Sequence, residues 1–197
     1  MKICIISGSQ RAHSYSLKVA NYLEKLSLSH FEQASVFDLH QLNLPFWNEG
    51  FWSGSEEWQA WRPIAESLKQ ADAFIFITPE WHGMATPALK NFLLLCSDQE
   101  LAHKPALLAS VSASINGVYP ISELRMTGNK NNHVCFLPDQ LIFRNCETLF
   151  KSDLCCEDAQ LHQRSQYSMQ LLAAYAQALA PVHREMLKLG ETFRYGM

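Results

Sequence analysis

Near its start the sequence reads Ile3-Cys4-Ile5-Ile6-Ser7-Gly8-Ser9-Gln10-Arg11-Ala12-His13-Ser14-Tyr15-Ser16. An apolar run typical of a strand leads here into a short loop rich in hydroxyl groups, and an amphipathic segment follows. Peptide N–H groups at the start of a helix are unpaired and lie at the positive end of its macrodipole, so they favour an anion. The stretch therefore predicts a phosphate-binding loop.

The side chains of this first loop are suited to a phosphate. Gly8 allows a sharp turn out of the strand, Ser9, Ser14 and Ser16 offer hydroxyl donors, and Arg11 can place two N–H groups on phosphate oxygens. The alternative is that Ser14 or Ser16 merely caps the helix. Three serines and an arginine within one loop favour the anion site.

Composition limits the class of protein. With 197 residues and 48% hydrophobic content, the chain can bury a full core, and we expect a single domain over residues 1–197. The 16 basic and 19 acidic residues give a net charge of -3, which offers no electrostatic footprint for nucleic acid or an anionic membrane. No apolar run reaches the ~20 residues of a membrane span, and the chain starts directly with a strand, so we expect a cytoplasmic protein.

The six cysteines are scattered without the paired spacing of zinc sites, so we expect reduced thiols and no metal. The adjacent Cys155 and Cys156 could form a redox pair, but neighbouring residues bridge only with strained geometry. Ordinary packing is therefore the favoured interpretation of this pair.

Apolar segments predict the strands. Nearly continuous apolar strands occur in parallel sheets that are covered by helices on both faces. We predict such strands over residues 2–7, 73–78, 105–111 and 133–137, and a more polar outer strand over residues 33–39.

Helical periodicity separates these strands. Apolar residues at i, i+3, i+4 and i+7 predict helices around residues 19–26 and 61–68, the second with Ser55 as its cap. Thr86 and Pro87 predict the start of a third helix, and a fourth is predicted from about residue 118 to 128. A long last helix should start near residue 159, with Pro181 ending or kinking it.

Strand and helix alternate about five times, which predicts a doubly wound α/β domain. Such domains bind ligands beyond the carboxyl ends of their strands. Three loops follow carboxyl ends here, residues 8–14, 79–86 and 112–118, and we call them the first, second and third loops. All three contain residues that are unusual for plain connections.

A phosphate-bearing cofactor with a flat ring would suit these loops. The first would take the phosphate, while the second would bring the face of Trp81 and peptide N–H groups toward the ring, as flavin chemistry requires. No Gly-x-Gly-x-x-Gly fingerprint and no P-loop lysine motif occur, which argues against tightly held NAD and ATP hydrolysis. His82 could act as an acid or base, and Glu80 could bind a hydroxyl or form an intersubunit ion pair. Loop histidines and glutamates are commonly just solvated, so we assign no catalytic residue.

Three motifs together carry a resemblance to a known family. The segment Gly8 to Ser16, the segment Thr78-Pro79-Glu80-Trp81-His82-Gly83 and the triplet Leu89-Lys90-Asn91 resemble the NADPH-dependent FMN reductase family over residues 1 to about 95, and more loosely to about 150. The resemblance implies a three-layer, doubly wound flavodoxin-like α/β fold with a five-stranded parallel sheet in the order 2-1-3-4-5. It also implies noncovalent FMN, NADPH or NADH as hydride donor, and a homodimer or homotetramer built partly on the third helix.

Carried over by position, the family motif assigns the FMN phosphate to residues of the first loop and the isoalloxazine ring to residues of the second. With the neighbouring Tyr15 and the polar residues of the third loop, the predicted cofactor-binding residues are Ser9, Arg11, Ser14, Tyr15, Ser16, Pro79, Glu80, Trp81, His82, Gly83, Ser112, Ser114, Asn116 and Gly117.

The chain departs from the family pattern in several places. Trp81 replaces a usual tyrosine, His82 a common asparagine, and Leu94 an aspartate that often follows Leu-Lys-Asn. In the third loop Asn116 stands where the family has the first of two glycines. Because asparagine tolerates positive φ, we expect the turn to survive. The asparagine side chain takes space that a glycine would leave to the ring, so this loop is expected to approach the ring less closely.

Two functions follow as alternatives. The first is an NAD(P)H oxidoreductase that passes electrons from FMN to a small acceptor such as a quinone, free flavin, azo compound or metal oxyanion. The second is a non-catalytic flavin- or phosphate-binding module that serves a partner as sensor or electron carrier, although a carrier is usually more acidic.

Two apolar segments have more hydrophobic side chains than the predicted sheet and helices require. The aromatic segment of residues 42–54 is either a lid or partner surface, or a cluster packed under its own loop. The helix after Pro87 carries more apolar residues than one sheet face can cover, which predicts contact with a second subunit; they are Leu89, Phe92, Leu93, Leu94, Leu95 and Cys96.

Overall fold

The computed structural model describes residues 1–151 and 154–189. The strands are β1 (Lys2–Ser7), β2 (Gln33–Asp38), β3 (Ala73–Pro79), β4 (Pro105–Val111) and β5 (Cys135–Phe143). The helices are α1 (Tyr15–Ser27), α2 (Leu39–Leu42), α3 (Gly50–Ser53), α4 (Trp61–Gln70), α5 (Pro87–Leu95), α6 (Asp98–Leu101), α7 (Tyr119–Thr127) and α8 (Ala159–Leu189).

The five strands form one parallel sheet in the order β2-β1-β3-β4-β5. Ile5 is paired with Val36 on one side and with Ile75 on the other, so β1 lies at the centre of the change in strand order. The predicted flavodoxin-like fold and its strand order are confirmed. The switch point beyond β1 and β3 is where such sheets bind ligands.

Helices cover both faces of the sheet because the central strands β1, β3 and β4 are buried on both sides. Cys4 and Ile6 face a core that contains Leu68 of α4 and Phe92 of α5. Ile5 faces the opposite core, to which α1 and α8 contribute, with residues such as Leu23 and Leu172. Since successive side chains of a strand point to opposite faces, the chain builds two cores from one sheet.

The last strand differs from its prediction over residues 133–137. β5 begins at Cys135 and continues to Phe143, through Pro138. The pairing register shifts here, because Ala106 is opposite Phe136 whereas Leu108 is opposite Gln140. A β-bulge at the sheet edge accommodates a proline that has no N–H to donate, so Pro138 does not end the strand.

Two helix boundaries also differ from prediction. Ser55 does not cap α4, because it precedes only a short 3₁₀ turn, Glu56–Trp58, and its side chain makes no capping hydrogen bond. α4 begins instead at Trp61. Pro181 does not end α8, which runs through it to Leu189. Within residues 1–151 and 154–189, no helix has the length and apolar character needed to cross a bilayer.

The aromatic segment of residues 42–54 is mostly packed rather than free. Trp47 and Phe51 lie against the core of the α4 and α5 face. Phe51 meets Trp58 edge-on at 5.1 Å between ring centroids. Phe46 and Trp52 nevertheless remain 67% and 75% exposed. The segment therefore forms a packed cluster, with Trp52 edge-on against Trp47 at its surface.

One buried cation ties three elements together below the sheet. Lys104, only 4% exposed, donates from Nζ to the carbonyls of Leu68 at 3.0 Å, Lys69 at 2.8 Å and Glu100 at 2.9 Å. Burial lowers the pKa of Lys104 to about 8, while the nearby carboxylates of Asp72 and Glu100 favour its protonated form. The ammonium thus joins the end of α4 and α6 to the start of β4.

We predict that Lys104→Met lowers the free energy of unfolding by about 2–4 kcal/mol, because a buried carbonyl left without a donor costs about 1–3 kcal/mol. Urea denaturation measures the change. The matched control is Lys69→Met, whose partly exposed ammonium pairs with Glu66 and should contribute less than about 1 kcal/mol. Equal losses in the two variants would contradict a structural role for the buried ammonium.

Candidate functional site

The first loop is attached directly to β3. The N–H of Gly8 donates to the carbonyl of Ile77 at 2.8 Å, and the hydroxyl of Thr86 donates to the carbonyl of Gly8 at 2.5 Å. A Cβ at position 8 would lie 2.5 Å from the Ile77 oxygen. Only glycine allows the backbone to come this close to β3. The hydrogen bonds of Gly8 therefore fix the position of the first loop relative to α5, the helix that follows the second loop.

Donors in the first loop remain available to a ligand. The Ser14 hydroxyl accepts from the Leu17 N–H at 3.1 Å, so Ser14 is the cap of α1 that the alternative interpretation expected. Among the described residues, however, the N–H groups of Tyr15 and Ser16 have no acceptor. The buried hydroxyl of Ser16 also lacks a partner there. Because buried polar groups are normally paired, this hydroxyl fits a ligand oxygen at the helix start.

The other first-loop side chains differ in their roles. Ser9 is buried, and its hydroxyl accepts from the backbone N–H of Arg11 at 3.2 Å. The Arg11 side chain is exposed and has no carboxylate partner among the described residues. Burial raises the pKa of the Cys146 thiol, and the charges of Lys18 and Arg11 oppose that rise. Arg11 is therefore near the segment that follows β5 and free to bind an anion.

The second loop contains a tight two-residue turn between Trp81 and Met84. Trp81 and Met84 exchange backbone hydrogen bonds of 3.2 and 2.9 Å, and His82 and Gly83 between them have φ values of 52° and 76°. Positive φ at both central residues defines a type I′ turn, which asparagine or histidine tolerates at the first position. His82 thus replaces asparagine without loss of the turn. The N–H groups of His82 and Gly83 have no acceptor among the described residues.

A partly exposed bracket, formed by Glu123 with Ala85 and Lys90, supports the second loop. One carboxylate oxygen of Glu123 accepts from the Ala85 N–H at 2.6 Å, and the other accepts from Lys90 Nζ at 2.9 Å. Burial opposes ionisation of Glu123, but the hydrogen bonds from Lys90 and Ala85 prevail and lower its pKa. No sequence signal predicted this bracket, because Glu123 lies 38 residues from Ala85.

The third loop is pressed onto the sheet at Gly117. This residue has a φ of 109°, and a Cβ there would lie 2.6 Å from Ile142 Cγ2. The Ser110 hydroxyl donates to the Gly117 carbonyl at 2.5 Å. Asn116 is not among the residues with positive φ, and its carbonyl accepts from Arg144 Nε at 3.0 Å. The turn therefore needs glycine only at position 117, and it survives the asparagine.

The second and third loops enclose one cavity of about 600 Å³. Six predicted residues line it, together with Ala113 and Tyr119, which the sequence had not indicated; the six are Glu80, His82, Gly83, Ser112, Ser114 and Asn116. Pro79, Trp81 and Gly117 support these loops but do not line the cavity. The predicted residues of the first loop lie at the neighbouring end of β1, so the structure has two adjacent subsites, one at the first loop and one between the other two.

The geometry suits a phosphate at the start of α1 and a flat polar ring between the other two loops. Free N–H groups are present in both places, which is what the phosphate and the amide edge of a flavin ring require. Among the described residues, no group of three or more His, Cys, Asp and Glu side chains is arranged to hold a metal. All six cysteines lie in the described part, and none is in a disulfide.

Solved structures share this architecture. The flavoenzyme NAD(P)H:(acceptor) oxidoreductase from Paracoccus denitrificans matches 90% of this chain and 98% of its own, with a TM-score of 0.76 and 18% identity. An archaeal flavodoxin matches 90% of this chain and 99% of its own, with a TM-score of 0.60 and 11% identity. At these identities the likeness concerns the fold.

Curated relatives are closer in sequence. The NADPH azoreductase of Bacillus sp. (strain OY1-2) is 31% identical over 117 residues, which are 59% of this chain and 62% of that protein. The FMN-dependent NADPH-azoreductase of Staphylococcus aureus (strain USA300) is 32% identical over 131 residues, which are 64% of this chain and 68% of that protein. The matched stretches thus span about two thirds of the relatives' own lengths.

The family model for NADPH-dependent FMN reductase matches residues 1–148, which include β1 to β5 and all three loops. This match extends well beyond the residues that carry the resemblance in the sequence motifs. The chain belongs to the NADPH-dependent FMN reductase family.

Proposed function

We propose that the protein is an FMN-dependent NAD(P)H oxidoreductase that takes a hydride from NADPH or NADH and delivers electrons to a small acceptor. The observation that carries the proposal is the pair of subsites at the switch point, each with unpaired donors, in a chain of this family. Quinones, free flavins, azo compounds and metal oxyanions are the candidate acceptors. The azoreductase relatives favour an azo compound.

In this proposal the first loop holds the FMN phosphate. Ser9, Ser14 and Ser16 contribute hydroxyls, and the N–H groups of Tyr15 and Ser16 complete the donor set at the positive end of α1. Arg11 supplies the opposite charge and up to two charge-assisted hydrogen bonds.

The second and third loops hold the isoalloxazine ring. The N–H groups of His82 and Gly83 donate to its polar edge, and Glu80 lines the same side of the site. Pro79 and Trp81 support this loop from behind the cavity wall. Ser112, Ser114 and Asn116 bound the opposite side, and Gly117 holds their loop against the sheet. A bound flavin supplies the redox chemistry by accepting a hydride and releasing electrons, so the chain contributes binding, orientation and access rather than a catalytic acid or base.

The location and domain organisation belong to the same proposal. One sheet with two cores supports one flavin-binding domain over the described chain. The absence of disulfides among the six described cysteines supports a reducing compartment such as the cytoplasm.

We predict that the protein supplied with FMN becomes yellow and oxidises NADPH or NADH continuously when a small quinone or azo compound is the only acceptor. Absorbance of the reduced nicotinamide follows its oxidation, and mass spectrometry of the supernatant after denaturation identifies the cofactor. Flavin binding without turnover would support the carrier alternative. Absence of both flavin binding and NAD(P)H oxidation would refute the proposed function.

We predict that Arg11→Ala weakens FMN binding tenfold or more, because a hydrogen bond to a charged group contributes about 1.5–3 kcal/mol and ~1.4 kcal/mol is one decade in affinity. Fluorescence titration of the cofactor-free protein with FMN measures the affinity. The melting temperature without FMN should not change, since the Arg11 side chain is exposed.

Two further variants sharpen this test. Ser16→Ala should also weaken FMN binding while leaving the cofactor-free protein at least as stable, because its buried hydroxyl has no partner within the described structure. Arg62→Ala, an exposed arginine on α4, is the matched control and should change neither quantity. A lower melting temperature and unchanged FMN affinity in Arg11→Ala would make Arg11 a structural residue.

The proposal includes a homodimer or homotetramer built on the face of α5 and α7. Leu94, which replaces the family's aspartate, is 62% exposed and lines a groove between these helices. Met84, Tyr119 and Met126 are also exposed on the second loop and α7. Several exposed apolar side chains on one pair of helices favour a self-complementary contact with a second subunit.

We predict that Leu94→Lys converts the oligomer to a monomer, because a charge would be buried without a partner in the interface. Light scattering at micromolar concentration measures the mass. Leu28→Lys is the control, since Leu28 is 55% exposed at the end of α1, away from this face. A wild-type protein that is already monomeric under these conditions would contradict the proposed assembly.

A further inference from the structure

A second cavity lies beside the first loop, at the carboxyl end of β2. Its volume is about 510 Å³, and its wall includes Gln10 of the first loop, His40, the segment from Asn43 to Phe46, and Asn91 of α5. None of these residues lines the cavity between the second and third loops. A volume of several hundred cubic ångströms is that of a small-molecule site.

Asn91 fixes the wall that carries Phe46. Its Oδ1 accepts from the Trp47 N–H at 2.9 Å, and its Nδ2 donates to the Pro45 carbonyl at 2.9 Å. Asn91 is 9% exposed, so both hydrogen bonds are sheltered from water. The residues before and after Phe46 are therefore held against α5, while the Phe46 ring itself is 67% exposed at the cavity.

Polar groups complete the wall. The side-chain amides of Gln10 and Asn43 form no hydrogen bond within the described residues. His40 Nδ1 lies 3.0 Å from the Gln10 carbonyl and must donate to it, so Nε2 of the neutral ring is an acceptor. The cavity thus combines an open aromatic face with unpaired amide donors and acceptors.

This combination has a specific chemical match. Side-chain amides form paired hydrogen bonds with the N6 and N7 positions of adenine, and aromatic side chains stack on the faces of bases. No lysine or arginine lines the cavity, which argues against recognition of a phosphate there. The arrangement therefore favours a purine base over an anion.

We propose that this cavity binds the adenine of NAD(P)H, with Phe46 stacked on the base and Gln10 and Asn43 on its edge. The inference rests on the proposed function, in which the nicotinamide must reach the flavin. The two bases of the dinucleotide are joined through two ribose phosphates. When the nicotinamide lies at the flavin, the adenine therefore contacts the protein at a second site. This cavity adjoins both the first loop and the start of α5, which follows the second loop.

The test compares two exposed aromatic residues of the same segment in the FMN-loaded protein. Phe46→Ala should raise the KM for NADPH about tenfold and weaken adenosine binding by a similar factor, because loss of one base–aromatic stack has about this effect. The KM for the acceptor should not change. Trp52→Ala is the matched control, since Trp52 is 75% exposed but does not line the cavity, and it should leave all three quantities unchanged.

Adenosine is the probe because it lacks the phosphate that the first loop would bind. Calorimetry measures its binding, and Phe46→Tyr should restore it by keeping an aromatic face. Failure of adenosine to bind, equal effects of the two alanine variants, or a change confined to the acceptor's KM would overturn the inference. Adenosine binding that depends on Phe46 in a protein unable to oxidise NAD(P)H would instead refute the proposed function.

Discussion

The contact between Gly8 and β3 is the constraint on which the site depends. The Gly8 N–H reaches the Ile77 carbonyl, and Thr86 reaches back to the Gly8 carbonyl, so the ends of β1 and β3 and the start of α5 are joined. A side chain at position 8 would collide with the Ile77 oxygen. Because this junction fixes the first loop against α5, it sets the relation between the subsite at α1 and both cavities.

The three loops reach similar ends by different physical means. The first exposes helix N–H groups, the second inverts its backbone in a type I′ turn, and the third is pressed against β5 through Gly117. The first two loops leave backbone N–H groups without acceptors, and the third forms one wall of a cavity at the carboxyl edge of the sheet. Unpaired buried groups cost free energy in the empty protein, and a ligand that satisfies them recovers it, so such groups mark a binding site rather than a stable core.

Departures from the family pattern are absorbed locally. His82 keeps the turn because its φ is one that histidine tolerates, and Asn116 keeps the third loop because the positive φ falls on Gly117. Leu94 has a larger consequence, since an exposed apolar side chain replaces a charge on the face of α5. Substitutions that respect backbone geometry leave the site intact, whereas one that changes surface chemistry alters what the protein can associate with.

The sequence by itself determined the parallel sheet, the helices between its strands and the three loops at their carboxyl ends, because periodicity and capping are local properties. Only the tertiary structure decided the length of β5 through Pro138, the unpaired hydroxyl of Ser16 and the Glu123 bracket under the second loop. It also decided that Asn91, of the Leu89-Lys90-Asn91 motif, forms hydrogen bonds to the backbone of Pro45 and Trp47. These features join residues distant in the chain, and their pairing depends on how the layers pack rather than on neighbouring residues.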